Sequence, residues 1–538
     1  MKLRFQTALF LVLFYAATPA QAQDASDQSV ADQDHIDQDQ PAMAEIEQAW
    51  ERGDFTTARA GLERLAKKTA TPLAQYRYGR ILLEGRGGPR DVAGAAQWLQ
   101  KAVDQNHAPA ATLLARLLLS AKGETRDPVR AVSLLERAAT RGEAEAQYFL
   151  ALLLKAGDGT AQDLEAAFNW LFAAAEQQHL QATYSLSRAY ARGEGTQKDL
   201  EEALYWMREA ASNGHVQAQL ALAQVLETGQ VGPANPKEAL EWYRRAAEAG
   251  LPVAQRVVGT RYLQGDGVAQ NGAEALRWLE SAAKAGDAGA MANLAYVYES
   301  GAGGQRDDAL AAKWYERAAG MEVPQGIIGL ARLHEEGRGV EQDLDRALAL
   351  YRQAAEAGAE PAARRLGELA GQGLLDGKMA PQRMVPWASV AAESDPGARR
   401  WLEERASAGD APAMAALANI LMADPDRVPD GQKFLKSAAE GGVLAAQVQL
   451  GQLYTTGADG MPLDYVLAYK WLNIAATGGY TDAAKSREVI AAVMTPEQIA
   501  DAQDATRAYY EESGPQAPAT AQSVSQQNPS EPNTARQE

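Results

Sequence analysis

The 538-residue chain has no cysteine, which excludes disulfide staples, thiolate metal sites, a cysteine nucleophile and a lipid-modified N-terminal cysteine. Folding must rest on packing. Cations are scarce as well: 52 Lys and Arg face 70 Asp and Glu, for a formal charge of -18. A sequence-blind grip on DNA or RNA needs dense Lys and Arg, so nucleic acid is not an expected partner. Histidine is rare, with 5 in all. Long apolar runs are missing beyond the first residues, and nothing later approaches the ~20 that span a bilayer.

Those first residues read as a cleavable secretory signal. Lys2 and Arg4 precede an apolar stretch from Ala8 to Ala17, and Ala20-Gln21-Ala22 ends it with small residues. A cut after Ala22 would make the protein periplasmic or secreted, with no transmembrane segment left. Residues 23–42 hold six Asp and no Lys or Arg, the composition of an acidic disordered linker. The tail 514–538, rich in Gln, Pro, Ser and Ala, reads the same way.

Between the tails the sequence repeats with a period of 36. Leu62, Trp98, Leu134, Trp170, Trp206, Trp242, Trp278, Trp314 and Leu350 form one column. Alanine fills the column four residues later in all nine units, and the column three residues earlier from Ala95 to Ala347. Offsets of three and four mark one face of a helix. A second helix follows from Ala110, Ala146, Ala182, Ala218, Ala254, Ala290, Gly326 and Ala362, with Leu or Val four residues beyond each. One helix pair cannot bury its apolar face alone, but stacked pairs can. The pattern predicts an all-α, right-handed α-solenoid of antiparallel helix pairs.

GEGTQKD at 193–199 looks like the start of a phosphate loop, but it returns as GRGGPRD at 85, GDGTAQD at 157, GDGVAQN at 265, GAGGQRD at 301 and GRGVEQD at 337, with a degenerate version at 121 and a looser one at 229. No strand precedes it, and no Gly-Lys-Ser/Thr closes it. It reads as a helix-to-helix turn in which Gly stops one helix and Asp caps the next.

The pattern AxAQxxLxxxYxxGxGVxxDxxxALxWxxxAAxxG, seen in Ala218-Gln219, Gly265, Gly267, Ala275, Trp278 and Ala282-Ala283, closely resembles the Sel-one-like repeat, a relative of the tetratricopeptide repeat. The expected organisation is a regular array of about nine units over 43–370, an irregular insertion at 371–400, further repeats over 401–490 and a C-terminal capping helix at 491–513. Thr495-Pro496-Glu497-Gln498 supplies the capping box that starts this last helix. The resemblance implies a scaffold or adaptor with protein partners in the cell envelope, a membrane sensor kinase or export machinery among them.

Chemistry is thin by comparison. Ser281-Ala282-Ala283-Lys284 matches a Ser-x-x-Lys spacing, but Ser-Asp-Asn and Lys-Thr-Gly are absent, so catalysis is not expected. A hydrolase of cell wall or β-lactams and a glycan-binding solenoid remain as alternatives. His107, His179 and His215 share one inter-repeat column without an HExxH, and no metal or other cofactor is expected. His334, in a column held elsewhere by Tyr, reads as a packed core residue. The candidate binding residues lie on the first helix of each pair, 14 and 18 residues after the Trp/Leu column, where the core is expected to use neither position: Arg116, Tyr148, Tyr184, Arg188, Arg256, Tyr296, Arg332 and Arg364. Tyr and Arg dominate partner hot spots, each bringing area and a directional polar group.

Overall fold

The computed structural model of the protein describes residues 40–121 and 126–513. The expected signal, nearly all of the acidic linker, the C-terminal tail and most of the degenerate turn at 121 lie outside them. The described residues form 27 α-helices and two short 3-10 turns, with no strand. None of these helices is long and apolar enough to cross a membrane. The chain divides into two compact units, to Gln270 and from Asn271.

In the first unit each repeat is a leading helix and a trailing helix, such as Leu180–Arg192 and Leu200–Ser212. The joint between these two explains GEGTQKD. Gly193 ends the leading helix at φ 69°, and its amide donates to the Ala189 carbonyl. Asp199 accepts from the Glu201 and Glu202 amides (2.9 and 3.0 Å), while its own amide reaches back to the Tyr190 carbonyl (3.0 Å). Both helix ends are therefore satisfied within one seven-residue turn. The second glycine, Gly195, has a separate task. A Cβ built there would stand 1.9 Å from the carbonyl oxygen of Leu164, at the start of the preceding trailing helix. Close approach of turn to helix is what allows one repeat to seat on the last.

The alanine columns lie in the core as expected: Ala95, Ala131, Ala102 and Ala138 are essentially inaccessible. The Trp/Leu column is buried unevenly: Leu62, Leu134 and Trp242 are enclosed in the first unit, and Trp278 and Leu350 in the second. Trp98, Trp170 and Trp206 are only half-buried, whereas the next residue, Leu99, Leu135, Leu171, Met207 or Tyr243, is enclosed. The reason is helical geometry. Ala95, Leu99, Ala102 and Val103 follow the i, i+4, i+7, i+8 stripe that faces the core, and Trp98 sits on its edge.

The second unit repeats this plan. The expected irregular insertion is mainly an additional helix, Pro381–Ala391, which keeps Pro386 inside it. It packs on Glu360–Gly371, and Pro396–Ser407 packs on both. A Cβ on Gly367 would lie 2.3 Å from the Trp387 carbonyl oxygen, so glycine is what lets the extra helix settle. Four helices separate the trailing helices Leu344–Glu356 and Val428–Glu440 where strict alternation would place three. At the C-terminal end the capping box forms reciprocally: the Gln498 amide donates to the Thr495 hydroxyl (3.2 Å) and the Thr495 amide to the Gln498 side chain (2.9 Å). The helix it opens, Pro496–Ser513, lays Tyr509 edge-on against Trp471 at 5.7 Å.

Candidate functional site

The leading-helix stripe is built differently from the sequence expectation. In the first unit Tyr148 is buried, and its ring stacks on His179 with centroids 4.9 Å apart. Tyr184 is half-buried and meets His215 at 4.5 Å. Tyr76 and His107 form the same pair at 4.9 Å. The core does use these positions. Each faces the start of the next leading helix, 31 residues on, and the phenol ring serves as a lid there.

Each histidine is an N-cap. Nδ1 of His107, His179 and His215 accepts the amide of Ala110, Ala182 and Ala218, at 3.2, 3.2 and 3.1 Å. That fixes the proton of His215 on Nε2, which donates to Gln181 at 2.9 Å. Burial pushes the imidazoles of His179 and His215 down to about 4. In the intervening repeat a polar pair takes over: the Thr112 hydroxyl donates to Glu143 (2.8 Å), which caps the helix through the Ala146 amide. Burial, then the neighbouring Glu145, raises Glu143 to about 7. Cap and lid thus change together, Tyr with His and Thr with Glu. Reading each column alone misses that coupling; comparing columns 31 residues apart reveals it.

The remaining candidates fall into two groups. Arg116 pairs with Glu145 (2.7 Å) and lies over the Phe149 ring. Arg188 is exposed, its guanidinium 5.9 Å from the Tyr184 ring centroid, and Arg256 is half-buried. In the second unit Tyr296 is 49% exposed. Arg332 is committed: it bonds Glu299 (2.6 Å), a buried carboxylate that also takes the Tyr315 hydroxyl (2.9 Å) and Arg338. Arg364 is held by Glu360 (2.7 Å) and Ser394 (2.8 Å). The Glu–Tyr–Arg motif recurs as Glu335–Tyr351–Arg365, and in the first unit as Glu227–Tyr243–Arg261. Sequence reasoning did not find these triads. Arg188 and Tyr296 therefore stand most open of the eight.

Other sequence candidates are placed simply. Lys284 pairs with Glu280 one turn away (2.9 Å), and Ser281 is exposed beside it. His334 is half-buried rather than a core residue, with Nδ1 3.3 Å from the Glu341 carbonyl oxygen. Among the described residues no group of three or more His, Asp or Glu is placed to hold a metal ion.

The family model described as Sel1 repeat matches residues 72–107, 108–143, 144–179, 180–215, 216–251, 252–287, 288–321, 324–358 and 444–480, together more than half of the chain. The chain belongs to the Sel1 repeat family. The matched segments each begin at a leading helix, so they coincide with the cap-to-cap units seen in the structure. Among solved structures, this Sel1 repeat protein is similar to c5321, a protective antigen present in uropathogenic Escherichia coli strains displaying an SLR fold. The two are 26% identical, with a TM-score of 0.57 over 88% of this chain and 99% of that one. A Sel1 repeat protein from Oxalobacter formigenes is 29% identical, covering 62% of this chain and 94% of its own, with a TM-score of 0.43. No curated protein matches.

Proposed function

We propose that this Sel1 repeat protein is a periplasmic scaffold that gathers protein partners of the cell envelope, a sensor kinase or export machinery being the classes implied by its family. One observation carries the reading. The columns that build the repeat, such as Ala110, Ala146, Ala182 and Ala218, hardly vary, while the positions presented outside that core differ from unit to unit, with Arg188 and Tyr296 both exposed. A rigid frame carrying non-repeating side chains suits recognition of an extended partner surface. Export rests on the N-terminal signal and is a separate expectation. Crosslinking in the native envelope followed by mass spectrometry tests both at once: recovery of cytoplasmic proteins alone would overturn the location, and recovery of no protein partner would overturn the scaffold.

A further inference from the structure

Trp98, Trp242, Trp278 and Trp314 each lie under a cation of their own helix: Lys101, Arg245, Arg277 and Arg317 stand 3.7, 4.5, 4.2 and 4.7 Å from the ring centroids. Among the described residues no cation lies over Trp170 or Trp206, which occupy the same column in neighbouring repeats of the first unit. Ala173 and Glu209 hold the places from which Lys101 and Arg245 reach across. Trp242 is enclosed beneath its arginine, whereas Trp206 is half-buried.

A second cation is missing beside Trp206. Arg208 pairs with Glu238, 30 residues on; one repeat earlier Phe172 stands in the place of Arg208, and Glu202 in that of Glu238. Phe172 meets the Trp206 ring nearly edge-on, centroids 5.8 Å apart at 72°. Tyr205 joins it at 5.2 Å and 82°, and Phe168 lies 6.5 Å from Phe172. The rings thus run as one chain across the helices Leu164–Glu176 and Leu200–Ser212. Tyr205 is 58% exposed. From residue 62 to 352 the other members of the Phe172 column are Arg, Gln or Glu, and the Tyr205 column has no second aromatic. Carboxylates border this apolar strip. Glu201 and Glu209 lie one turn either side of Tyr205, and Glu202 and Glu209 one turn either side of Trp206. All three are exposed, and none forms an ion pair among the described residues. Ring faces and carboxylates attract the same ligand, a positive charge, and half-buried rings suit the apolar stem that carries it. Other repeats show that the Trp column accepts a cation; here the chain supplies none.

We propose that Phe172, Tyr205 and Trp206 form a docking surface for an Arg- or Lys-bearing segment of a protein partner, whose cation takes over Trp206 the place that Arg245 holds over Trp242. The proposal rests on the scaffold reading and adds the chemistry of one contact, on trailing helices rather than leading ones.

Fluorine NMR of the full chain labelled with fluorotryptophan tests it, the Trp206 signal being identified by its loss in Trp206→Phe. The probe is acetyl-Leu-Arg-Leu-amide, and the same tripeptide with citrulline is its neutral counterpart. The arginine peptide should shift the Trp206 signal to saturation and leave that of Trp242 in place, while citrulline should bind roughly fivefold more weakly or worse. Glu209→Arg restores the covering cation of the other repeats and should close the site by a similar factor. Glu248→Arg, an equal change of charge in the next repeat, should stay within about twofold. Matching thermal melts of the two variants exclude a folding effect. No shift up to ~10 mM peptide, equal binding of the arginine and citrulline peptides, or equal losses in the two variants would overturn the site. A Trp206 signal that moves with protein concentration alone would give the surface to a second copy of the chain and overturn the basic partner. Envelope crosslinks that persist while the peptide fails would overturn this contact and leave the scaffold reading standing.

Discussion

The ring of Tyr184 lies on the imidazole of His215, centroids 4.5 Å apart and planes inclined by 35°. The pair joins the middle of one leading helix to the cap of the next. A neutral imidazole is required there, because Nδ1 must accept the Ala218 amide. A protonated ring would present N–H to N–H under an aromatic lid, with little water to relieve it.

This makes the first unit acid-sensitive. The folded pKa of His215 is lowered to about 4 against ~6.5 unfolded, so the folded state holds fewer protons. The stability it contributes is complete above pH 6.5 and is lost as pH falls from there toward 4, roughly 3 kcal/mol for this residue. His215→Asn keeps a capping oxygen that does not titrate. Urea unfolding at pH 7.5 and 4.5 should show a smaller acid loss in the variant than in the wild type. Equal losses would show that the cap does not titrate in this window.

Gly195→Ala should be costly, although the residue sits in an exposed-looking turn. The new Cβ would meet the Leu164 carbonyl oxygen at 1.9 Å with φ at 75°, so backbone strain and overpacking act together, for about 2–4 kcal/mol. Gly214→Ala is the control. Its φ is 90° but no atom lies within 4 Å of the added carbon, which leaves only the ~1–2 kcal/mol of the left-handed conformation. Comparable denaturation midpoints for the two variants would refute the seating role of the second glycine.

A missing partner offers a gain. Gln75 and Gln147 are buried, and each side-chain oxygen accepts from a glutamine 30 residues on, Gln105 at 2.9 Å and Gln177 at 2.8 Å. Gln219 holds the same place, yet its Oε1 has no hydrogen-bond partner among the described residues, and position 249 is Ala. Ala249 has the same helix-ending role as Gln105 and Gln177. Ala249→Gln should therefore stabilise by about 1 kcal/mol, read as a higher melting temperature. Gln177→Ala should move it down.

Much of the fold was legible because its signals are local or strictly periodic. Ala102, Ala138 and Ala174 announce a close-packed face, and Gly193 with Asp199 announces a turn, whatever lies beyond. Other features depend on what a neighbouring repeat contributes. Tyr148 looked like a surface hot spot because nothing in its own helix says that His179 waits beneath it. The enclosed column of Leu99, Met207 and Tyr243 varied too much in chemistry to stand out beside a row of Trp. The helix at 381–391 keeps Pro386 at its centre, past the first turn where proline costs nothing, so it forms despite one lost backbone hydrogen bond and rests on packing against the helix Glu360–Gly371. Of the candidate site, residue types were readable and exposure was not.

That difference separates Arg188 from Arg332. Arg188 is exposed, and Arg188→Glu should leave the melting temperature nearly unchanged while weakening recovery of the native partner in envelope crosslinking. Arg332 answers Glu299, which is 7% exposed and also carries the Tyr315 hydroxyl. Replacing it with Glu puts two carboxylates where one was neutralised, a change expected to cost about 3–5 kcal/mol, with Arg338 able to offset part of it. Loss of partner in Arg332→Glu would consequently report unfolding of the repeat rather than a broken contact. Full partner recovery by a folded Arg188→Glu variant would remove this arginine from the binding surface and leave Tyr296, in the second unit, as the next residue to replace.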